Sequence, residues 1–546
     1  MIRPSGLLAT ALLLLAGLPL LATAALALGA LFDASAWRAL WQDPQLLPAL
    51  AYSLWTGLAA TTIAWWATRA LLAQGFVQHS LDRLLRGLPV MLATPHAAFA
   101  IGLAFLLAPS GWLLRALSPW LTGFHFPPPW PTTQDPWGLG LIAALVFKEI
   151  PFLLWTAATQ LQRDDLRRRW RAEHTLAQTL GYTPRRAFAR VVWPQLAPRL
   201  TGPLLAVLAY GLTVVDMALV IGPARPPTLA VLAWQWLQDA DLATNAQGAA
   251  AGGVLVLAVG LSVLLWRGVQ ALARRRTLRS DGRRGRLPAH RRSDLSWGAW
   301  LLAGVYAAVL LALAVGSVAG IWPFPALWPE ALTAQAWHSV WASRGTVLTT
   351  LGLAAASSAL ALAWAVAWLE CAPRPWDAAL RPLLYLPLLL PAVLWVVGLY
   401  GLALWLRIEG RWPALLLAHT LMALPYALLA LAPAYTGFDP RYRAISDSLG
   451  HGRWHFLLRV KWPLLRRALA ASAAVGAAVS VAQYLPTLYL GAGRWATVTT
   501  EAVTLAAGAQ RSLTSAYAGL QWLLPALGFA LAAWVGRPRR FTVTGT

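Results

Sequence analysis

Cysteine occurs once in these 546 residues, at Cys371, and lysine only twice, at Lys148 and Lys461. One cysteine excludes any disulfide within the chain and every multi-cysteine metal or redox motif. Two lysines in these contexts exclude a P-loop, which needs Gly-Lys followed by Ser or Thr so that the lysine reaches the β and γ phosphates of a nucleotide. Lys148 lies between Phe147 and Glu149, and Lys461 between Val460 and Trp462. Charge of either sign is scarce: charged residues make up 12% of the chain, against about a quarter in a soluble globular domain. Acidic charge is scarcest, with 20 Asp and Glu against 44 Lys and Arg, for a formal net charge of +24. What the chain does have is apolar sequence, 58% hydrophobic with a mean hydropathy of +0.57. The class is an all-α integral membrane protein. The basic excess does not indicate nucleic acid, because the arginines alternate with membrane-length apolar runs instead of lining one face of a soluble domain.

Crossing the hydrocarbon core takes about 20 consecutive apolar helical residues. Twelve runs qualify, approximately 7–31, 47–72, 87–114, 137–161, 201–223, 248–266, 297–321, 346–369, 382–406, 413–435, 468–490 and 514–535. The first opens near Arg3 and contains Ala22-Thr23-Ala24, which has the look of a secretory signal; eleven runs behind it favour a retained helix. Cytoplasmic segments carry the excess of Lys and Arg. With the N-terminus inside, the inside segments hold 34 of the 44 and the outside loops 8, which predicts a multi-pass membrane protein with both termini cytoplasmic. The many Trp near run ends suit interfacial belts against membrane lipid.

The chain repeats itself. Leu180-Gly181 lies thirteen residues before Pro194, and Leu449-Gly450 thirteen before Pro463, at a constant offset of 269. Within that window Arg190-Val191, Trp193-Pro194 and Leu196 match Arg459-Val460, Trp462-Pro463 and Leu465; further on, Gly222, Arg225 and Thr228 match Gly491, Arg494 and Thr497. More loosely, Leu88-Pro89, Pro95 and Gly102 echo Leu386-Pro387, Pro391 and Gly398. Two six-helix repeats of the same orientation, related by an axis along the membrane normal, are predicted: a first half at 1–266 with its core at about 47–266, a basic cytoplasmic linker at 267–296, and a second half at 297–546 with its core at about 342–536.

The repeated segments 163–200 and 437–467 are long for cytoplasmic loops. Each contains a helical stretch, a Gly placed to end it at positive φ, a second stretch, and a Pro where the next run begins. A short helix held between two spans in this way can dock on another protein and pass force to both. In Gly181 with Pro194, and Gly450 with Pro463, the loops resemble the EAA loop of type I ABC importer permeases, in which Glu-Ala-Ala, Gly and Leu-Pro stand at this spacing. With both copies in one chain, the protein is similar to the fused permeases for thiamine and ferric iron. Segment 483–494, with Asp216-Met217-Ala218, resembles the thiamine group more. The resemblance implies the type I ABC importer fold, a separate ATPase present as two copies that use ATP and Mg, a periplasmic solute-binding protein, and no cofactor on this chain. It implies ATPase coupling for Thr175, Leu176, Ala177, Gly181, Trp193 and Pro194, and for Ala444, Ile445, Ser446, Gly450, Trp462 and Pro463. The sequence departs from the motif at its start, where Thr175 and Ala444 stand in place of the Glu, so docking is expected to use apolar contacts and neighbouring arginines.

Ionisable residues at membrane depth are costly and face a bundle interior or a pathway. At about 1.5 Å per helical residue, Lys148 lies about 16 Å and Asp216 about 10 Å below the outer ends of their runs. Two readings follow: a Lys148–Asp216 ion pair that locks neighbouring helices, or a path in which Glu149 and Asp216 offer negative potential to a cationic solute. His419 and Gln483 stand at comparable depth in the second half, making any path asymmetric. Arg225 and Arg494 lie just outside the membrane, where they meet a binding protein's acidic patches or anchor loops. Pro95 and Pro391 read as kinks. His451 and His455 are four apart on a cytoplasmic helix and read as solvated. With no catalytic constellation, the chain reads as a transport permease. An ion-gradient-driven secondary transporter of twelve helices is the alternative, and a membrane-embedded transferase a remote one.

Overall fold

A computed structural model describes residues 4–78, 85–161, 163–277, 296–508 and 510–537. They are helical nearly throughout; the sole extended pairing among them is one bridge between Ala319 and Leu332. Among the described residues, nine helices are long and apolar enough to cross a membrane: Leu7–Phe32, Leu46–Val77, His96–Leu117, Leu139–Leu161, Leu242–Leu272, Trp297–Val318, Arg344–Cys371, Trp412–Thr436 and Arg511–Val535. Two bent pairs raise this to eleven, Pro375–Leu388 with Ala392–Trp405 at 102°, and Arg453–Leu464 with Arg466–Val481 at 75°.

The difference from twelve continuous spans has a physical origin. The fifth run forms a helix at Thr201–Thr213, breaks at Val214 and Val215, and resumes as Asp216–Ile221. The eleventh does the same, with Arg466–Val481, a break at 482–484, and Leu485–Gly491. Hydropathy registers these runs as uniformly apolar. The breaks come from Asp216, an acidic residue in a helical first turn, and from Pro486, one residue past the equivalent station of the second copy, both suited to starting a helix and ill suited to continuing one. The prolines of the third and ninth runs do more than kink: Pro95 and Pro391 stand extended between separate helices, Leu88–Ala93 and His96–Leu107 in one half, Leu386–Leu389 and Ala392–Trp405 in the other.

Two elements escape a search for membrane-length runs. The nine-residue helices Leu229–Leu237 and Val498–Ala506, again 269 apart, are too short to span yet lie largely buried. Each is tied to the second helix of its own half by a matching bond, Leu229 N–H donating to Ser53 Oγ and Val498 N–H to Thr350 Oγ1, both at 2.9 Å.

Each half is built on three mutually packed helices, Leu46–Val77 with Leu139–Leu161 and Thr201–Thr213, and Arg344–Cys371 with Trp412–Thr436 and Arg466–Val481. The first helix of each half reaches the other: Pro4–Gly29 packs on Ala392–Trp405, and Ser296–Val318 on His96–Leu107 as well as on Arg511–Val535 of its own half. Both crossings rest on a repeated glycine. A Cβ on Gly102 would stand 2.9 Å from the Val309 carbonyl oxygen, and one on Gly398 would overlap that of Thr23. The helix Leu242–Thr277 carries into the expected linker, so residues 267–277 are helical; 278–295 lie outside the described residues, as do Arg83, Arg539 and Arg540.

Candidate functional site

In the first repeated loop the helix Asp164–Thr179 is stopped by Gly181 at φ +91°, with Tyr182 N–H donating to the Ala177 carbonyl at 3.1 Å and Gly181 N–H to that of Gln178 at 2.9 Å. The second repeats this: Arg441–Ser448 ends at Gly450, φ +77°, with His451 N–H on the Ser446 carbonyl at 3.1 Å and Gly450 N–H on that of Asp447 at 3.0 Å. A left-handed residue of this kind suits glycine, which has no Cβ to clash. After the turn the chain re-enters helix and widens into π turns at Phe188–Val192 and Phe456–Lys461. Pro194 and Pro463 explain the widening. Neither supplies an N–H to the carbonyl four residues back, and Trp193 N–H bonds instead five residues back to Phe188, as Trp462 N–H does to Leu457.

The outward face of each loop helix carries matching aliphatic side chains, Leu176 (61% exposed) with Leu180 (54%), and Ile445 (57%) with Leu449 (67%). Thr175 and Ala444 are exposed beside them, whereas Ala177 and Ser446 turn inward and are buried. Leu180 and Leu449 complete a face that the motif alone does not mark. Trp193 is buried and Trp462 half-buried, while Pro194 and Pro463 are exposed.

The inward faces are held differently in the two halves. In the first, Trp170 Nε1 donates to Gln195 Oε1 at 3.1 Å, Gln195 Nε2 to Glu173 Oε2 at 2.6 Å, and Arg169 pairs with Glu173 at 2.7 Å. Hydrogen bonds from Arg169 and then Gln195 hold the Glu173 carboxyl below the usual carboxylate range. In the second, Glu370 at the end of the eighth helix accepts Lys461 Nζ at 2.7 Å and the Tyr435 hydroxyl at 2.9 Å, with Arg453 at 3.5 Å; Trp462 Nε1 donates to the Tyr435 hydroxyl at 3.3 Å. A cavity of about 510 Å³ opens beside this network.

Within the membrane, the expected Lys148–Asp216 pair gives way to another arrangement. Lys148 is buried, and its Nζ donates to the carbonyls of Thr94 at 2.6 Å and Met91 at 3.3 Å. Because residue 95 is proline, the Met91 carbonyl has no donor four residues on; it accepts Thr94 N–H at 3.4 Å, and the ammonium adds a second donor. Asp216 is instead approached by the Tyr210 hydroxyl at 3.4 Å. Glu149 Oε1 lies 3.3 Å from His96 Nε2, and the rings of His96 and Tyr210 are 4.6 Å apart. Tyr426 from the second half lies within electrostatic range of Glu149 and Tyr210, and Tyr484 within that of Asp216. The two carboxylates therefore stand at the ends of a short aromatic shelf where the halves meet. His419 does not join them. It is 1% exposed, with Nδ1 on Ser480 Oγ at 2.8 Å and Nε2 on Thr487 Oγ1 at 3.0 Å, bracing the break in the eleventh run from within. Gln483 sits in that break, buried, its carbonyl accepting the Thr487 hydroxyl. His96, Tyr210 and Tyr426 are the polar groups that run-by-run reading overlooks; the signal for His96 is its place directly after Pro95.

No family model matches the chain. The inner membrane ABC transporter permease protein YnjC of Escherichia coli strain K12 is 37% identical over 526 residues, covering 92% of both chains. The chain belongs to the inner-membrane ABC transporter permeases. Parts of two other members resemble it as well: the thiamine transport system permease proteins ThiP of Salmonella typhimurium strain LT2 and of Escherichia coli K12 are 31% and 29% identical over 230 and 231 residues, 38% of this chain and 42% of theirs. A multi-pass permease of this family works with ATPase subunits and a solute-binding protein. On the face of the permease opposite the loops, Arg225 and Arg494 are both exposed at equivalent positions just after the broken fifth and eleventh runs, the second beside Gly410.

Proposed function

We propose that this permease carries a small cationic solute inward, with thiamine favoured over ferric iron, while two copies of a separate ATPase dock on its two cytoplasmic loops. The observation that carries the coupling half of this reading is the matched pair of loop helices, each stopped by a left-handed glycine and each presenting two aliphatic side chains outward. Leu176, Leu180, Ile445 and Leu449 supply the contact in place of the motif's carboxylate, and Gly181, Trp193 and Pro194, with Gly450, Trp462 and Pro463, set the angle at which each helix meets the following span. ATP and Mg belong to the partner: one lysine is buried against backbone carbonyls and the other is paired with Glu370, neither placed for phosphate. Glu149 and Asp216 favour a cation, and the partial likeness to two thiamine permeases favours thiamine. Arg225 and Arg494 face the binding protein on the outside, which puts both termini in the cytoplasm.

Cysteines placed at Thr175 and Ala444, in a background lacking Cys371, are expected to crosslink to the ATPase. An intact complex with no crosslink at either position removes the coupling role. Uptake of labelled thiamine that needs ATP hydrolysis supports the transport reading, and uptake driven by an ion gradient without the ATPase overturns it in favour of a secondary transporter.

A further inference from the structure

We propose that His96 is a built-in stand-in for the transported cation: in the empty permease its imidazole rests on Glu149, and the incoming solute must displace it. The inference rests on the reading of Glu149 and Asp216 as the cation path.

The carboxylate and its cover differ in access. The side chain of Glu149 is 9% exposed and that of His96 35%, so a solute approaching Glu149 meets the imidazole first. A buried carboxylate is strongly disfavoured unless a partner balances it. Its sequence neighbour Lys148 spends its hydrogen bonds on the carbonyls of Thr94 and Met91, and His96 is the side chain in direct contact with Glu149. His96 is also the first residue of its helix, directly after the break at Pro95, where a side chain moves with little disturbance to the packing behind it. When it leaves Glu149, the face of Tyr210 lies 4.6 Å away to receive it, and the Tyr210 hydroxyl leads on to Asp216.

The ionisable groups facing His96 are Glu149 and Lys148 on the fourth span, Tyr210 and Asp216 on the fifth, and Tyr426 on the tenth. On the other helices packed against the third span, Tyr306 stands against the Phe99 ring within electrostatic range of Glu149, while Arg511 is on Ser110 and Glu501 beside Tyr517. Carboxylates therefore dominate the surroundings of the imidazole. Imidazole is the side chain that changes charge between about pH 5 and 8. A protonated imidazole holds a carboxylate more tightly than a neutral one, so protons and a cationic solute compete for the same carboxylate.

The test uses the permease assembled with its ATPase and binding protein in membrane vesicles, and labelled thiamine as probe. From pH 8 to pH 6 the KM for uptake is expected to rise at least threefold while kcat holds, the pattern of a lost binding interaction. H96Q should give a low KM that is flat with pH. H96K, which keeps a cation on Glu149, should raise KM tenfold or more with the complex intact on size exclusion. H96Q that retains the pH dependence, or H96K with the KM of the parent, overturns the proposal. E149Q that transports as the parent does removes the cation path itself. A readout independent of solute separates the two: the infrared carboxylate band that disappears in E149Q should shift between pH 8 and 6 in the parent and stay fixed in H96Q. A band indifferent to His96 overturns the stand-in whatever the permease carries.

Discussion

Lys148 shows how a charge can be structural in a membrane. Its ammonium replaces the amide that Pro95 cannot provide, and so lets the third run break where His96 is needed. K148M removes the ammonium from the Thr94 carbonyl and leaves that of Met91 with Thr94 N–H alone; at about 1–3 kcal/mol for a buried polar group left unsatisfied, the purified protein should melt at a lower temperature by tryptophan fluorescence, with K148R recovering part of the loss. A melting temperature within a degree of the parent counts against the role. The depth of Lys148, Glu149 and Asp216 was legible in the sequence, because an ionisable residue inside an apolar run is conspicuous. Their partners were not. Depth along a helix says nothing about the direction of a side chain, and the carbonyls that capture Lys148 are freed by a proline on another element. The burial of His419 was hidden for the same reason, since Ser480 and Thr487, which bracket it, are about sixty and seventy residues away in sequence.

At the scale of elements, the loops were the most legible part, because glycine at a helix end and proline after a π turn are local requirements of the backbone. The outward face is testable as a unit. L176D with L180D, or I445D with L449D, should lower ATPase association by tenfold or more in pull-down while leaving the permease folded, since all four side chains are exposed; association at parental level would show that docking lies elsewhere. The two tethers behind these faces are built from different residues. The second hangs on the Glu370 ion pairs, and E370Q should reduce solute-stimulated ATP hydrolysis several-fold; unaltered stimulation would dismiss the tether. Less legible were the interruptions of the fifth and eleventh runs and the buried nine-residue helices. A hydropathy window averages across Asp216 or Pro486, and nine apolar residues fall below the length it seeks.

The whole molecule carries its duplication further than the sequence matches alone reveal. Repeated loops fix the offset of 269, yet the structure adds paired glycine crossings, paired breaks and the paired anchors Ser53 and Thr350. That each half lends its first helix to the other was not readable, because an apolar helix records that it is buried and not against what. Gly398→Ala should be the more damaging of two equivalent substitutions. Its Cβ meets the Thr23 carbonyl more closely than that of Gly102→Ala meets Val309, and overpacking of this kind costs about 1–3 kcal/mol or more. Detergent-extracted yield and melting temperature should fall in the order parent, G102A, G398A, and the reverse order would count against the crossing.

The exchanged helices also impose an order on synthesis. The helix Pro4–Gly29 finds its main partner in Ala392–Trp405, so it enters the bilayer and waits against lipid while most of the chain is still being made. The N-terminal half completes its packing only once the ninth run has emerged, and a chain that stops before it leaves the first helix without that surface.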